Sequence, residues 1–156
     1  MTDADRLAEI KAATDPCPLI DRHLNEIIGH KLFTLMVIDH KTEEAARVYS
    51  SAPEAYPVKG RKPLGTLTGW GHHVISEAKP YIGRNADDIR TVFPDHETIA
   101  SLGCASVLNL PVIANGSTIG TVNLLHEAEW YNEEHVARGA PFAALLAPHF
   151  EHWSDG

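Results

Sequence analysis

Ten histidines in 156 residues are the first chemical feature of this chain. Such an excess asks for imidazole work: metal binding, proton transfer or ligand contact. Metal binding has the firmest spacing rules, and they are not met. His72 and His73 are adjacent, so on a helix they diverge by about 100°, and the chain has neither an H-x-x-x-H nor a C-x-x-C pair. His73, His96 and His126 meet only if the fold brings them together, so neither a metal nor another cofactor is expected. Cys17 and Cys104 are too few for a disulfide framework. Cys104 is either a nucleophile activated by His73 or His96, or a small core residue. Arg90 either grips a ligand carboxylate or phosphate bidentately, or pairs at the surface with Asp87 or Asp88. Trp70 reads as an apolar wall.

The background is that of one ordinary domain, residues 1–156, with a core of about residues 17–150. Apolar residues make up 44 % and charged residues 22 %, with no low-complexity tract, which separates the chain from disordered and fibrous classes. The formal net charge of −8 opposes phosphate backbones, and the basic residues are scattered, so no nucleic-acid partner is expected. The most apolar run, residues 32–38, is far short of the roughly 18 to 20 residues that cross a bilayer, so no membrane insertion is expected. Met1 is followed by acidic residues rather than a basic and apolar leader. A cytoplasmic location is expected.

Positioning these groups falls to a recognisable series of elements. Residues 3–13 carry apolar positions at helical spacing, and Asp15-Pro16 restarts a second helix that runs to Gly29. Residues 32–39 and 45–51 read as a hairpin, and the prolines and glycines of residues 52–67 as a long loop. Thr68 is expected to cap a helix through Glu77 whose inward face carries Trp70, His73 and Val74. A short strand at residues 80–83 precedes two brief helices, residues 87–93 and 95–102. Residues 105–114 and 118–126 form a second hairpin on Asn115-Gly116, the strongest short-range signal in the chain. Asn132 then opens a last helix to about Phe150, kinked at Pro141. Hairpins want an antiparallel sheet, the terminal helices can cover one face of it, and the irregular middle segments leave a pocket on the other.

This order of motifs resembles the GAF domain family. The resemblance rests on Thr68-Gly69-Trp70 leading to Pro80-Tyr81, on residues 102–112 (LGCASVLNLPV), on residues 115–124 (NGSTIGTVNL) and on Tyr131-Asn132-Glu133-Glu134 before an apolar helix. It implies an α+β, profilin-like fold: a central antiparallel sheet of about five or six strands, with terminal helices on one face and a ligand pocket under short helices and loops on the other. It also implies a homodimer made by the terminal helices. The chain departs from the family, whose domains usually sit beside a kinase, cyclase or DNA-binding partner, and is expected to be a free-standing domain that works alone or with a partner protein in trans.

Strand alternation sends Ser106 and Asn109 to opposite faces, and Asn123 and His126 likewise, so one of each pair faces a ligand. Comparison with the family's bilin-binding members favours Ser106 and His126, although His126 also reads as a structural strand-end residue. The expected site therefore has Trp70, Val74 and Leu108 as wall, and His73, Arg90, Ser106 and His126 as polar anchors. Asp88, His96 and Cys104 close it. Free methionine-R-sulfoxide reductases of the same family use pocket cysteines, but this chain has Trp70 where they place one. The preferred expectation is a module that senses or carries a small anionic or aromatic metabolite. The alternative is a small enzyme of hydrolase, isomerase or lyase type using pocket histidines, and a third reading is an interaction protein whose pocket is filled.

Overall fold

The structure, a computed structural model, describes residues 1–65 and 69–153; Thr68, the expected helix cap, lies outside them. Helices α1 (Asp3–Ala12) and α2 (Cys17–Ile27) lead into strands β1 (Leu32–Asp39), β2 (Glu44–Ser50) and β3 (Arg61–Pro63). A short α3 (Gly69–Gly71) runs on as a π-helical turn (His72–Ser76), followed by β4 (Tyr81–Gly83), α4 (Ala86–Val92) and α5 (His96–Ser101). The hairpin β5 (Ser106–Ala114) and β6 (Ser117–His126) precedes α6 (Glu133–Ala144) and α7 (Ala147–Glu151).

All six strands form one antiparallel sheet in the order β3-β2-β1-β6-β5-β4. Asn115 and Gly116 turn the central hairpin with φ of 52° and 77°, the left-handed pair that a two-residue turn of this hand requires. One face buries Phe33, Leu35, Leu108, Leu110, Val122 and Leu124 beneath Ile20 and Leu24 of α2, Phe142 of α6 and Phe150 of α7. The opposite face carries smaller clusters under α3, α4 and α5. This is the α+β arrangement that the motif order predicts, with the terminal helices on one face and short helices on the other.

Both outer helices are capped by side chains. The Thr2 hydroxyl accepts from Asp5 N–H at 3.1 Å and the Asp5 carboxylate accepts from Thr2 N–H at 2.9 Å. At α6 the Asn132 side chain accepts from the amides of Glu134 at 2.9 Å and His135 at 3.2 Å. Asn132→Ala is therefore expected to cost about 1 kcal/mol in urea unfolding, and an unchanged midpoint would deny the cap that role. Gly139, inside α6, tolerates more: a Cβ there meets the movable tips of Leu110 at 2.7 Å and Ile28 at 3.3 Å. The gain in helix propensity offsets that crowding, so Gly139→Ala should stay within about 1 kcal/mol of the parent.

Two local expectations need correction. The long loop contains β3, which pairs Arg61 with Ala46 and Lys62 with Ala45. The last helix passes through Pro141 and breaks instead at Leu145-Leu146, because Pro148 offers no N–H to the Ala144 carbonyl.

Two β-bulges decide which side chains face which layer. On β2, Tyr49 pairs with Leu35 but Arg47 pairs with Met36, so Val48 is the extra residue. On β6, Gly120 pairs with Val112 but Thr118 pairs with Ile113, so Ile119 is the extra residue. Residues two apart, which normally share a face, are thereby sent to opposite ones. Tyr49 packs edge-on to Phe33 under the helices, while Arg47 reaches the other layer.

Candidate functional site

The face opposite the long helices holds a chamber. Its floor comes from alternate residues of the three central strands, Thr34 and Met36 on β1, Val107 and Asn109 on β5, and Asn123 and Leu125 on β6. Its sides are Arg47, Tyr56 and Lys62 from β2, β3 and their connection, and its roof is Trp70, Phe93, Asp95 and Ile99.

A row of hydrogen bonds crosses the floor. Trp70 Nε1–H donates to Asn109 Oδ1 at 2.9 Å, Asn109 Nδ2 donates to Asn123 Oδ1 at 2.8 Å, and Asn123 Nδ2 donates to Thr34 Oγ1 at 3.2 Å. Thr118, turned to this layer by its bulge, donates to the Val74 carbonyl at 3.1 Å and ties the π-helical turn to the sheet. The amides are thus mutually satisfied, as buried polar groups must be.

The sides are cationic. The Lys62 ammonium lies 5.8 Å from the Trp70 ring centre and 5.6 Å from that of Phe93, within cation–π range. Among the described residues no ion pair engages it, and burial holds its pKa below the usual lysine value. The Arg47 guanidinium lies 4.9 Å from the Tyr56 ring centre and donates through Nη1 to the Pro57 carbonyl at 3.0 Å. Its Nε is buried without a hydrogen-bond partner, and burial lowers its pKa too. The carboxylate of the chamber, Asp95, accepts from the Tyr56 hydroxyl at 2.5 Å; burial and then this bond raise the tyrosine pKa. Arg47 and Lys62 against Asp95 leave one positive charge in excess, in a chain whose net charge is −8.

Free space is small. The cavity amounts to about 40 Å³, room for roughly three or four water molecules at the ~10–15 Å³ each requires. A larger guest must displace Trp70 or its neighbours.

Of the residues singled out in the sequence, Trp70 lines this chamber. Val74 is buried beside it in the π-helical turn. Leu108 faces the helical layer. Ser106 and His126 share that opposite orientation: the Ser106 hydroxyl donates to the Glu127 carbonyl at 2.7 Å, and His126 stacks on Trp130 at 3.7 Å while its Nδ1 accepts from Glu127 N–H at 2.8 Å. The amide pair Asn109 and Asn123 occupies the place expected of them. His73 bonds the Pro80 carbonyl at 2.8 Å, Asp88 accepts from Arg84 N–H at 2.8 Å, and Arg90 pairs with Asp87 at 2.6 Å on the surface. Arg90, His96 and Cys104 instead border a shallow depression between α4 and α5, where burial pushes the Cys104 thiol up to about 11. All ten histidines are among the described residues, and none lines the chamber.

Arg47, Lys62, Tyr56 and Asp95 are chamber residues that the sequence reading did not name, and Asn109 and Asn123 are the members of the two strand pairs that it named but did not favour. A signal for the amides existed: Leu108, Leu110, Val122 and Leu124 mark the even positions in the middle of the hairpin as its more apolar face, which leaves Asn109 and Asn123 on the other.

His126 and His135 share a titration consequence. Burial, the first cause in each, holds both below the usual imidazole value. A group depressed in the folded state takes up protons on unfolding, so its stabilising contribution is present above the unfolded pKa of about 6.5 and is lost as pH falls through the lower folded value. Urea midpoints should fall between pH 7 and pH 5.5, and less so in His126→Gln; equal losses in both proteins would remove His126 from the explanation.

No family model and no curated protein matches the sequence. Solved structures do. The GAF domain of a phosphoenolpyruvate-protein phosphotransferase (ptsP) from Coxiella burnetii superposes with a TM-score of 0.75 at 21 % identity, covering 96 % of this chain and 90 % of that one. Free methionine-R-sulfoxide reductase from Neisseria meningitidis, solved with its substrate, gives 0.71 at 19 % identity over 96 % and 86 %. The chromophore-binding domain of a bacteriophytochrome from R. palustris gives 0.72 at 11 % identity over 96 % and 59 %. Likeness at these identities fixes the architecture and leaves the chemistry to the site.

Proposed function

We propose that this chain, whose fold is that of GAF domains, is a receptor for a small planar anion. Its carboxylate or phosphate would meet Arg47 and Lys62, and its ring would lie against Trp70 and Phe93. The observation that carries the reading is the excess cation. Lys62 forms no ion pair among the described residues, feels the Asp95 carboxylate only at longer range, and sits over two aromatic faces, an arrangement that an anionic guest would complete. Trp70 serves as the movable cap, releasing Asn109 to the ligand when it swings away. The structures of a reductase with its substrate and of a chromophore-binding domain lend support by showing guests held by this architecture.

A reaction driven by chamber histidines has no group here to carry it, so binding is favoured over turnover. The small free volume supports a competing reading in which the chamber is filled by its own side chains. Thermal-shift titration with benzoate and phenyl phosphate beside neutral benzamide separates the two. An anion at a hundredfold excess over its Kd stabilises by about 2.7 kcal/mol; the anions should raise Tm and benzamide should not. Lys62→Met should abolish that response while raising the stability of the unliganded protein by up to about 1 kcal/mol. If no anion shifts Tm at millimolar excess, the filled-chamber reading stands.

A cytoplasmic setting fits the two free thiols, Cys17 and Cys104, and no helix among the described residues is long and apolar enough to cross a membrane. Among the described residues the exposed large apolar side chains, Met1, Val58, Ile113 and Trp130, lie on different elements. A homodimer through the terminal helices would be tested by light scattering across a dilution series. A partner in trans would be sought by pull-down with and without the anion.

A further inference from the structure

Across the sheet from the chamber, three side chains of different chemistry converge. Asp15 lies in the turn between α1 and α2, Cys17 begins α2, and His149 lies on α7. Each offers one ligand atom, and these atoms all lie within 4.8 Å of one another. Cys17 is buried, whereas Asp15 and His149 are exposed. Among the described residues none of the three forms an ion pair. One Asp15 oxygen accepts from Cys17 N–H at 3.2 Å, and the His149 ring meets only that of Phe150, 6.2 Å away.

We propose that Asp15, Cys17 and His149 form a binding site for a divalent transition-metal ion, Zn²⁺ by ligand chemistry, with water as the fourth ligand. The donor set selects the ion class: calcium and magnesium want oxygen cages, whereas a mixed sulfur, nitrogen and oxygen set suits zinc. Zinc bonds of about 2.0–2.3 Å place neighbouring ligand atoms about 3.5 Å apart on a tetrahedron. The present spacing closes to that by side-chain rotation of the two exposed ligands around the fixed thiol. Water completes the shell because Asp15 and His149 keep one side open.

Binding balances in protons: the metal–sulfur bond forms as the S–H proton of Cys17 leaves for solvent, one proton per ion. Metal binding would also fasten the N-terminal helix pair to α7, stabilising the folded form by linkage.

The test is a titration of reduced, tag-free protein with Co²⁺ as an optical stand-in. A thiolate-to-cobalt charge-transfer band in the near ultraviolet should saturate at one ion per chain and vanish on adding Zn²⁺. Cys17→Ser should lose the band, Cys104→Ser should keep it, and His149→Ala, which leaves the buried residues untouched, should weaken binding by more than about tenfold. Circular dichroism confirms that each variant is folded. Absence of the band in the parent protein overturns the proposal, as does a band undiminished in Cys17→Ser or in His149→Ala.

Discussion

Gly71→Ala is expected to destabilise the protein by about 3 kcal/mol or more, lowering Tm by roughly 6–12 °C in a chain of this size. A Cβ on Gly71 meets the carbonyl oxygens of Gly65 at 2.1 Å and Leu64 at 2.3 Å, and the Gly65 carbonyl carbon at 2.6 Å. These are backbone atoms, which cannot rotate aside as the Leu110 tip can at Gly139. The φ angles are ordinary at Gly71 and positive at Gly65 and Gly69, 57° and 60°, so closeness of approach, not conformational freedom, is what Gly71 supplies. The helix that carries Trp70 can lie against the end of β3 only while this position has no side chain. A calorimetric Tm within a degree or two of the parent would show that this approach is looser in solution.

The second large effect is on the amide row. Asn109 is 2 % exposed and stands in its middle, accepting from Trp70 and donating to Asn123. Asn109→Ala strands the indole N–H and the Asn123 oxygen together, and each orphaned buried group costs about 1–3 kcal/mol. A loss of about 2–4 kcal/mol is expected from denaturant unfolding. A double-mutant cycle with Trp70→Phe isolates the indole bond, with a coupling of about 0.5–3 kcal/mol. Strict additivity of the two substitutions would mean that the indole does not bond the amide in solution. For the proposed anion receptor the same variant carries a second reading: with Trp70 unanchored, on-rates for the anion should rise while affinity falls.

How much of this was legible in the chain depends on the length over which each signal acts. The Asn115-Gly116 hairpin and the Asn132 cap are local, written in consecutive residues, and the structure places both where the sequence does. The α+β fold follows from a few such signals in series. β3 escaped because Arg61, Lys62 and Pro63 have no periodicity of their own; their strand character comes from pairing with β2. The face of the pocket escaped for a different reason. Period-two alternation separates Ser106 from Asn109 without saying which layer covers which side, and that choice was taken from the bilin-binding members rather than from the apolar even positions of the hairpin. Arg47 was hidden most deeply, because alternation puts it on the same side as Tyr49 and the bulge at Val48 parts them. Arg90 illustrates the converse: its open alternative, pairing with Asp87, is what the surface shows.

Val48 and Ile119 are in this sense supernumerary. Excising either one would leave its neighbours aimed as they are now, since the pairings on both sides would become continuous, at the loss of the apolar contact each makes with the helical layer. The same deletion anywhere else along β2 or β6 would turn the residues beyond it to the opposite side. These two places are therefore where the sheet can shed a residue and keep its two-sidedness.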